Sequence, residues 1–551
     1  MGVPYYFKYL TTNIREAVVP HLPRMPVVLY LDFNSVVYEA KATVLAGPTL
    51  YRKKSMIEYA ICEEVVRCLC RILYSVGVER LRCVYIAIDG IAPMAKVQQQ
   101  RQRRFKSAME ADFMSSLEQQ PQQQQQQQQP PQPHPHPHRQ YAWDSNAITP
   151  NTKFMGRLSE HLEGVVEFMR HLTGGEVDFV YDSWKNAGEG EHKLFAHIRD
   201  KGANEYSDCL KVVYGLDADL IVLSLFHSFG DAYDGKMYLY RESSYYPFQI
   251  TDPRKNAPYE YLYMNVRVLR QTILQAFQCD PSIPVMNTLT DYVLLTFLLG
   301  NDFIPNLFIL RIQKGGFDAI MKAYRKGYAT YRCHLTTKVS EGKYCIHRAF
   351  LTLILRELLK GEDAMLRELA DDFHRFRPHL RATDPVERRK EMFHYYPKMV
   401  NETDTIRIGE SGWQMRFYKY WLDGIPDRAM VDAMCREYVD GMLWTLGYYA
   451  TGKCNQSWHY PYPVAPCLRD LVAFCASSDT PCIMEIPRKE YREQPLDGFQ
   501  QLMFVLPRKS ARCIPKEWRV ATCQSIYTHL YPTTFQLKTL YKKYYHECVG
   551  V

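Results

Sequence analysis

Acidic residues recur where apolar runs stop, and no other feature of this 551-residue chain limits its fold as much. Asp32 closes VVLYLD, Asp89 closes VYIAID, Glu189 and Glu191 sit in GEGEHK, Asp217 and Asp219 sit in YGLDADLIVL, and Asp291 and Asp302 bracket DYVLLTFLLGND. The apolar runs at 27–33, 84–89, 179–181, 212–216 and 220–225 read as buried strands, with helical patterns at 55–76, 95–117, 152–172 and 190–199 among them. This alternation predicts an α/β fold: a mixed, mostly parallel sheet flanked by helices on both faces. Sites in such folds lie beyond the carboxyl ends of the strands, where these acids fall.

Past about residue 311 the strand rhythm fades, and stretches such as 349–360 and 428–446 read as helices. The chain therefore divides into a first unit at 1–325 and a second, mostly helical lobe at 340–551, ending in a Pro-rich and Tyr-rich tail. The segment 118–140, dominated by QQPQQQQQQQQPPQPHPHPH, has almost no apolar residue to offset the entropy of ordering and reads as a disordered insertion. A 46% hydrophobic content excludes a fibrous or largely disordered chain. No apolar run approaches the roughly 18 residues of a membrane span, so a soluble protein with no membrane partner is expected. The 16 cysteines lack metal-knuckle spacing and are expected to be reduced thiols. The start lacks a signal peptide's apolar core, and the expected compartment is the cytoplasm, with the nucleus left open.

If the strands are neighbours, their terminal carboxylates converge, and two like charges about 4 Å apart repel by about 4 kcal/mol at an effective dielectric of 20. In extended chain, residues two apart point to one side, so Glu189 with Glu191 and Asp217 with Asp219 read as clamps. Oxygen donors without Cys point to a hard ion, Mg²⁺ or Mn²⁺, and two such ions could activate water for phosphodiester hydrolysis.

After Asp89 comes GIAPMAKVQQQRQRRFKSA, in which Lys96, Gln100, Arg103 and Arg104 share one helical face. Met94, Val97, Phe105 and Ala108 form another face, expected to pack on the sheet. Cations beside bound metals suit a phosphate, and a terminal phosphate held at a fixed distance would measure one nucleotide per cut. The net charge of +8 hides this pairing of a basic face with an acid cluster.

The stretches MGVPYYFKYL, LYLDFN, IDGIAPMAKVQQQRQRRF, SNAITPNTKFM, GEGEHK, YGLDADLIVLSL and LLGNDFIPN resemble the 5′-to-3′ exoribonuclease (XRN) family. The likeness continues in YVDGMLWTLGYYATG, SWHYPYPVAP and FQQLMFVLP. The resemblance implies a PIN/FEN-like nuclease core, completed by the second lobe, that hydrolyses 5′-monophosphorylated single-stranded RNA to nucleoside 5′-monophosphates. It implies that Asp32, Asp89, Glu189, Glu191, Asp217, Asp219 and Asp302 bind two Mg²⁺ ions, which Mn²⁺ could replace. Lys96, Gln100, Arg103 and Arg104 would hold the 5′ phosphate, and Asp291 would support the metal ligands.

Tyr38 stands where the family usually has a base-stacking His, and Gln456 replaces the first of two Trp, leaving Trp458 as the second stacking residue. Tyr5, Ala187 and Asn151 also depart from the family pattern. The expected form is a minimal, monomeric core without long C-terminal extensions, with decapping or RNA-processing factors as candidate partners. Two other readings were weighed. A flap-type DNA endonuclease would share the acids but must let a strand thread past the basic pocket, and an inactive RNA-binding scaffold should have lost acids that this chain keeps.

Overall fold

VVLYLD is buried along its whole length and forms an inner strand of a seven-stranded sheet. The computed structural model describes residues 5–49, 51–126, 143–277, 285–375, 377, 379–393, 404–422, 424–484, 496–532, 536–539 and 546–549. The strands of the first half are β1 (Val18–Val19), β2 (Val27–Asp32), β3 (Leu81–Ala87), β4 (Asp178–Asp182), β5 (Leu210–Tyr214), β6 (Met237–Glu242), the small hairpin β7 (Thr251–Asp252) and β8 (Ala257–Pro258), and β9 (Tyr261–Asn265). The main sheet runs β1-β9-β6-β5-β2-β3-β4; β6, β5, β2, β3 and β4 are parallel, and β9 and β1 form an antiparallel edge.

The first-half helices are α1 (Tyr6–Asn13), α2 (Asn34–Ala46), α3 (Lys54–Val76), α4 (Met94–Gln126), α5 (Lys153–Leu172), α6 (Gly190–Lys201), α7 (Asp219–His227), α8 (Val266–Phe277) and α9 (Val285–Thr296). Alternation along β2 splits the core, as a pleated strand requires. Leu29 and Leu31 pack with α2, α3 and α5, whereas Val28 and Tyr30 pack with α6, α7 and α8.

Three expectations change here. The run 220–225 is helix, within α7, rather than strand; its apolar residues are buried on every side, so the sequence carries no period to separate the two states. β6 and β9 escaped the sequence reading because MYLYRE and YLYMN use Tyr and Met in place of β-branched residues; Tyr240 and Tyr263 stack across them at 4.9 Å. The insertion at 118–140 is helical at its start, because α4 continues to Gln126 and Gln propagates a helix already nucleated. Residues 127–140 lie outside the described residues.

The second half comprises α10 (Gly316–Tyr331), β10 (Thr336–Ser340), β11 (Lys343–His347), α11 (Arg348–Lys360), α12 (Glu362–Arg375), α13 (Pro385–Phe393), α14 (Trp413–Leu422), α15 (Arg428–Thr451), α16 (Leu468–Ala476), β12 (Cys482–Met484), α17 (Gly498–Val505), β13 (Gln536–Thr539) and β14 (His546–Val549). Strands β10, β11 and β12 form a small antiparallel sheet. The Asp427 side chain caps α15 by accepting from the Met430 N–H at 2.7 Å, and Gly452 at φ 72° ends it in the left-handed region. Gly447 lets the β10–β11 turn close on α15, since a Cβ there would stand 2.3 Å from the Gly342 carbonyl.

No seam separates the halves near 325–340: one apolar cluster runs from Leu10 through Leu223 and Tyr324 to Leu443 and Leu471. Helix α4 joins them a second time. Val97 packs with Ala92, Leu502, Val505, Leu506 and Ile514, so this apolar face docks on α17 rather than on the sheet as expected. Arg101 reinforces the junction by donating to the carbonyls of Phe504 and Leu530.

Asp291, expected beside the metal ligands, instead pins β10 to α9. Its buried carboxylate accepts from Tyr324 Oη at 2.7 Å, the Leu335 and Thr336 N–H groups at 2.8 Å each, Thr336 Oγ1 at 2.5 Å and His334 Nδ1 at 3.2 Å. Asp291→Ala strands several buried donors at about 1–3 kcal/mol each. Urea denaturation should show a loss on the order of 3 kcal/mol or more, with a smaller loss for Asp291→Asn.

Candidate active site

The parallel strands bring their carboxyl ends to one edge of the sheet, and the acids gather there. Asp32 is the last residue of β2, Asp89 lies two residues past β3, and Asp217 lies three residues past β5. Glu189 precedes α6, Glu191 lies in its first turn, and Asp219 opens α7. Asp302 comes from the loop after α9.

The two Glu and Asp pairs are therefore not extended clamps. Each straddles a loop-to-helix junction, and Glu189 and Glu191 still meet, at the ammonium of Lys96. Gly190 makes this possible in GEGEHK: a Cβ there would lie 2.8 Å from Asp32 Oδ1. Its N–H donates to Asp89 Oδ1 at 2.7 Å, setting a carboxylate at the positive end of α6. Asn34 Nδ2 holds the other Asp89 oxygen.

Asp32, Asp89 and Glu191 each offer an oxygen, all within 4.8 Å of one another. Burial, with Asp89 and Asp217 alongside, pushes the Asp32 carboxyl well above its usual range; burial and Glu189 do the same to Glu191 despite Lys96. Burial and Asp302 raise Asp219 to about 7. The buried Tyr449 hydroxyl interacts with the Asp219 carboxylate, although neither it nor Asp219 Oδ1 is in ideal bonding geometry. Crowded buried oxygens are the setting a hard divalent cation relieves, so the residues fit Mg²⁺ or Mn²⁺.

Lys96 is the one cation reaching into this group among the described ion pairs. Its Nζ lies 2.5 Å from Glu189 Oε2, 2.9 Å from Asp302 Oδ2 and 3.7 Å from Glu191 Oε1, with the side chain nearly fully buried. Burial works against its charge, yet Asp302, Glu189 and Glu191 hold its pKa well above normal. The same pairing keeps Asp302 far below the usual carboxylate range against its own burial.

The second half supplies the wall behind these acids. Tyr448 of α15 donates to Glu189 Oε1 at 3.0 Å and stacks on His192 at 3.7 Å. Lys193 donates to the carbonyls of Ile88 and Ser183 at 2.9 and 2.8 Å, tying α6 to the end of β3. The sequence reading missed the roles of Asn34, Tyr448 and Lys193. All three lie inside stretches that carry the family likeness, and an uncharged Asn or Tyr signals a role only once its carboxylate partner is placed.

The expected phosphate-binding side chains separate into two groups. Gln100 and Arg104 are buried; Arg104 donates to Thr149 Oγ1 through Nε and Nη2 at 3.1 and 2.9 Å and feels both Tyr38 and Asp89. Burial lowers the Arg104 pKa to about 10. Arg103 is exposed beside it. Tyr38 is 44% exposed, with Lys41 Nζ over its ring, 5.7 Å from the centre. Trp458 is buried: at 3% exposed it stacks on Trp444 at 4.8 Å and abuts Gly441, so in this structure it is a core residue.

Comparison with known proteins agrees with this geometry. A family model described as the XRN 5′-3′ exonuclease N-terminus matches residues 1–233, and one described as the Xrn1 helical domain matches 283–395 and 381–550. The 5′-3′ exoribonuclease 2 homolog of Drosophila melanogaster is 25% identical, with 99% of this chain and 68% of the relative covered. The 5′-3′ exoribonuclease 1 of Saccharomyces cerevisiae is 23% identical, covering 98% of this chain and 41% of the relative, and that of Homo sapiens is 26% identical, covering 94% and 31%. With both regions matched in order across one continuous core, the chain belongs to the XRN family of 5′-3′ exonucleases.

Proposed function

We propose that this enzyme removes nucleotides one at a time from single-stranded RNA bearing a 5′ monophosphate, with divalent metal held by the acid cluster. Exoribonuclease activity follows from the family; the end group and the metal are the finer reading. The observation that carries it is Lys96: one helix, α4, sends this side chain into the acid cluster and presents Gln100, Arg103 and Arg104 on its next two turns. Phosphate recognition and hydrolysis are thereby built on one rigid element.

Asp32, Asp89, Glu189, Glu191, Asp217, Asp219 and Asp302 would hold the ions, which when bound supply an activated water and neutralise charge on the scissile phosphate. Arg103, exposed and adjacent to buried Arg104, would take a terminal phosphate. The exposed Tyr38 would stack on the first base. Glu189, fixed by Lys96 and Tyr448, holds the end of α6 in register with Asp32.

RNAs ending in 5′ monophosphate, triphosphate or hydroxyl, incubated with Mg²⁺ or with EDTA, test both halves of the reading. Decay of the monophosphate RNA alone, and only with Mg²⁺, is the expected result. Equal decay of all three sinks the end-group assignment, and nucleotide release in EDTA sinks the metal. Asp217→Ala should abolish turnover while RNA binding persists in a filter assay, and Arg103→Ala should narrow the preference for a 5′ monophosphate.

The raised carboxyl groups also predict a pH effect. Asp32, Glu189, Glu191 and Asp219 bind protons more tightly folded than unfolded, so the metal-free protein loses stability as pH rises above the ordinary carboxylate range, Asp219 contributing up to about 7. A divalent ion competes with those protons, and at 100 times its dissociation constant adds about 2.7 kcal/mol. Thermal melts should therefore show a larger Mg²⁺-induced rise at pH 8 than at pH 5; an equal rise at both would contradict the assignment.

A further inference from the structure

We propose that Lys96 is the resident counter-ion of one half of the acid cluster, and that a divalent ion enters that half only when a phosphate draws the ammonium away. The two halves differ. Asp32, Asp89 and Glu191 gather oxygens within 4.8 Å and lie at the edge of Lys96's reach, the nearest contact being 3.7 Å to Glu191. Glu189 and Asp302 grip the ammonium at 2.5 and 2.9 Å. An ion taking those same two oxygens would sit at contact distance from a buried cation, where water screens little.

The geometry gives Lys96 somewhere to go. It lies in the first turn of α4, whose backbone is fixed by the Met94 N–H on the Gln456 carbonyl at 2.9 Å. The side chain is long and flexible, and Gln100 and Arg103 follow on adjoining turns of the same face. A phosphate bound there offers the ammonium a second anionic partner. Its departure takes the nearest cation from Glu189 and Asp302, which lie beside the buried carboxylate of Asp219. Phosphate and the second ion then favour each other's binding, and the coupling is reciprocal.

The inference rests on the proposal that this site takes 5′ phosphates, but its test counts ions and needs no turnover. Mn²⁺ binding to the full chain, followed by electron paramagnetic resonance, should show one tight site alone and a second in saturating adenosine 5′-monophosphate, tightened at least tenfold. Adenosine, lacking the phosphate, should leave one site. Lys96→Met should bind two ions without nucleotide. Two equal sites in the wild-type protein without nucleotide, or a second site induced equally by adenosine, would overturn the inference, and so would a folded Lys96→Met protein that still binds one ion. Should that variant fail to fold, the wild-type titrations decide alone. An active exonuclease with two ions bound before nucleotide defeats this inference only. A chain inert on RNA that gains an ion with nucleotide defeats the functional reading only.

Discussion

Mutual repulsion among buried carboxylates is the constraint around which the rest of the molecule is arranged. The parallel strands deliver acids to one edge because strand polarity puts every carboxyl end there, and the backbone has no means of separating them. What compensates the charge differs from acid to acid. The start of α6 serves Asp89, an ammonium serves Glu189 and Asp302, and burial with like charge raises the proton affinity of Asp32, Glu191 and Asp219. A fold that tolerates this arrangement must be stabilised elsewhere.

That stabilisation comes from fusing the two halves. The apolar cluster that crosses residues 325–340 buries the back of α7 and α9 against α15, and α15 returns Tyr448 to Glu189. Helix α4 is clamped at its apolar face by α17 while its polar face enters the acid cluster. Each half thus holds the other's functional element in position. A nuclease sheet without α15 and α17 would leave Glu189 with Lys96 alone and expose the apolar flank of α4 to water.

The sequence made the acids legible because carboxylates at the ends of buried strands have few alternative places to go. It misjudged their local geometry. GEGEHK and DADLIVL look extended until Gly190 is seen to let a helix start against Asp32, and an all-buried run such as Leu220 to Leu225 has no period to identify it. The docking of α4 was illegible for a different reason: Ala92 and Gln501 meet across 409 residues, and no local pattern encodes a partner so distant. Trp458 shows the same limit, since a Trp in a likely-looking motif is a stacking platform or a core residue according to whether Trp444 covers it. Tyrosine abundance also shows in the core: among the described residues nine of the twelve largest fully buried side chains, Tyr6 and Tyr240 among them, are Tyr, so these serve packing rather than base recognition.

Buried tyrosine donates to buried carboxylate at Asp291 and at Glu189, and the two surroundings contrast. Tyr324 donates to Asp291, and two backbone N–H groups and Thr336 complete the shell, so this carboxylate has donors for both oxygens and no acid beside it. Tyr448 donates to Glu189, but there the neighbours are Asp89 and Asp302, and one buried ammonium does the work of several donors. The residue types are the same and the burial is the same. What differs is the ratio of donors to like charges, and a site with that ratio inverted is held together by whichever cation is present. Asp291 therefore belongs to the fold, whereas Glu189 belongs to the acid cluster, although the sequence marks both as acids beside apolar runs.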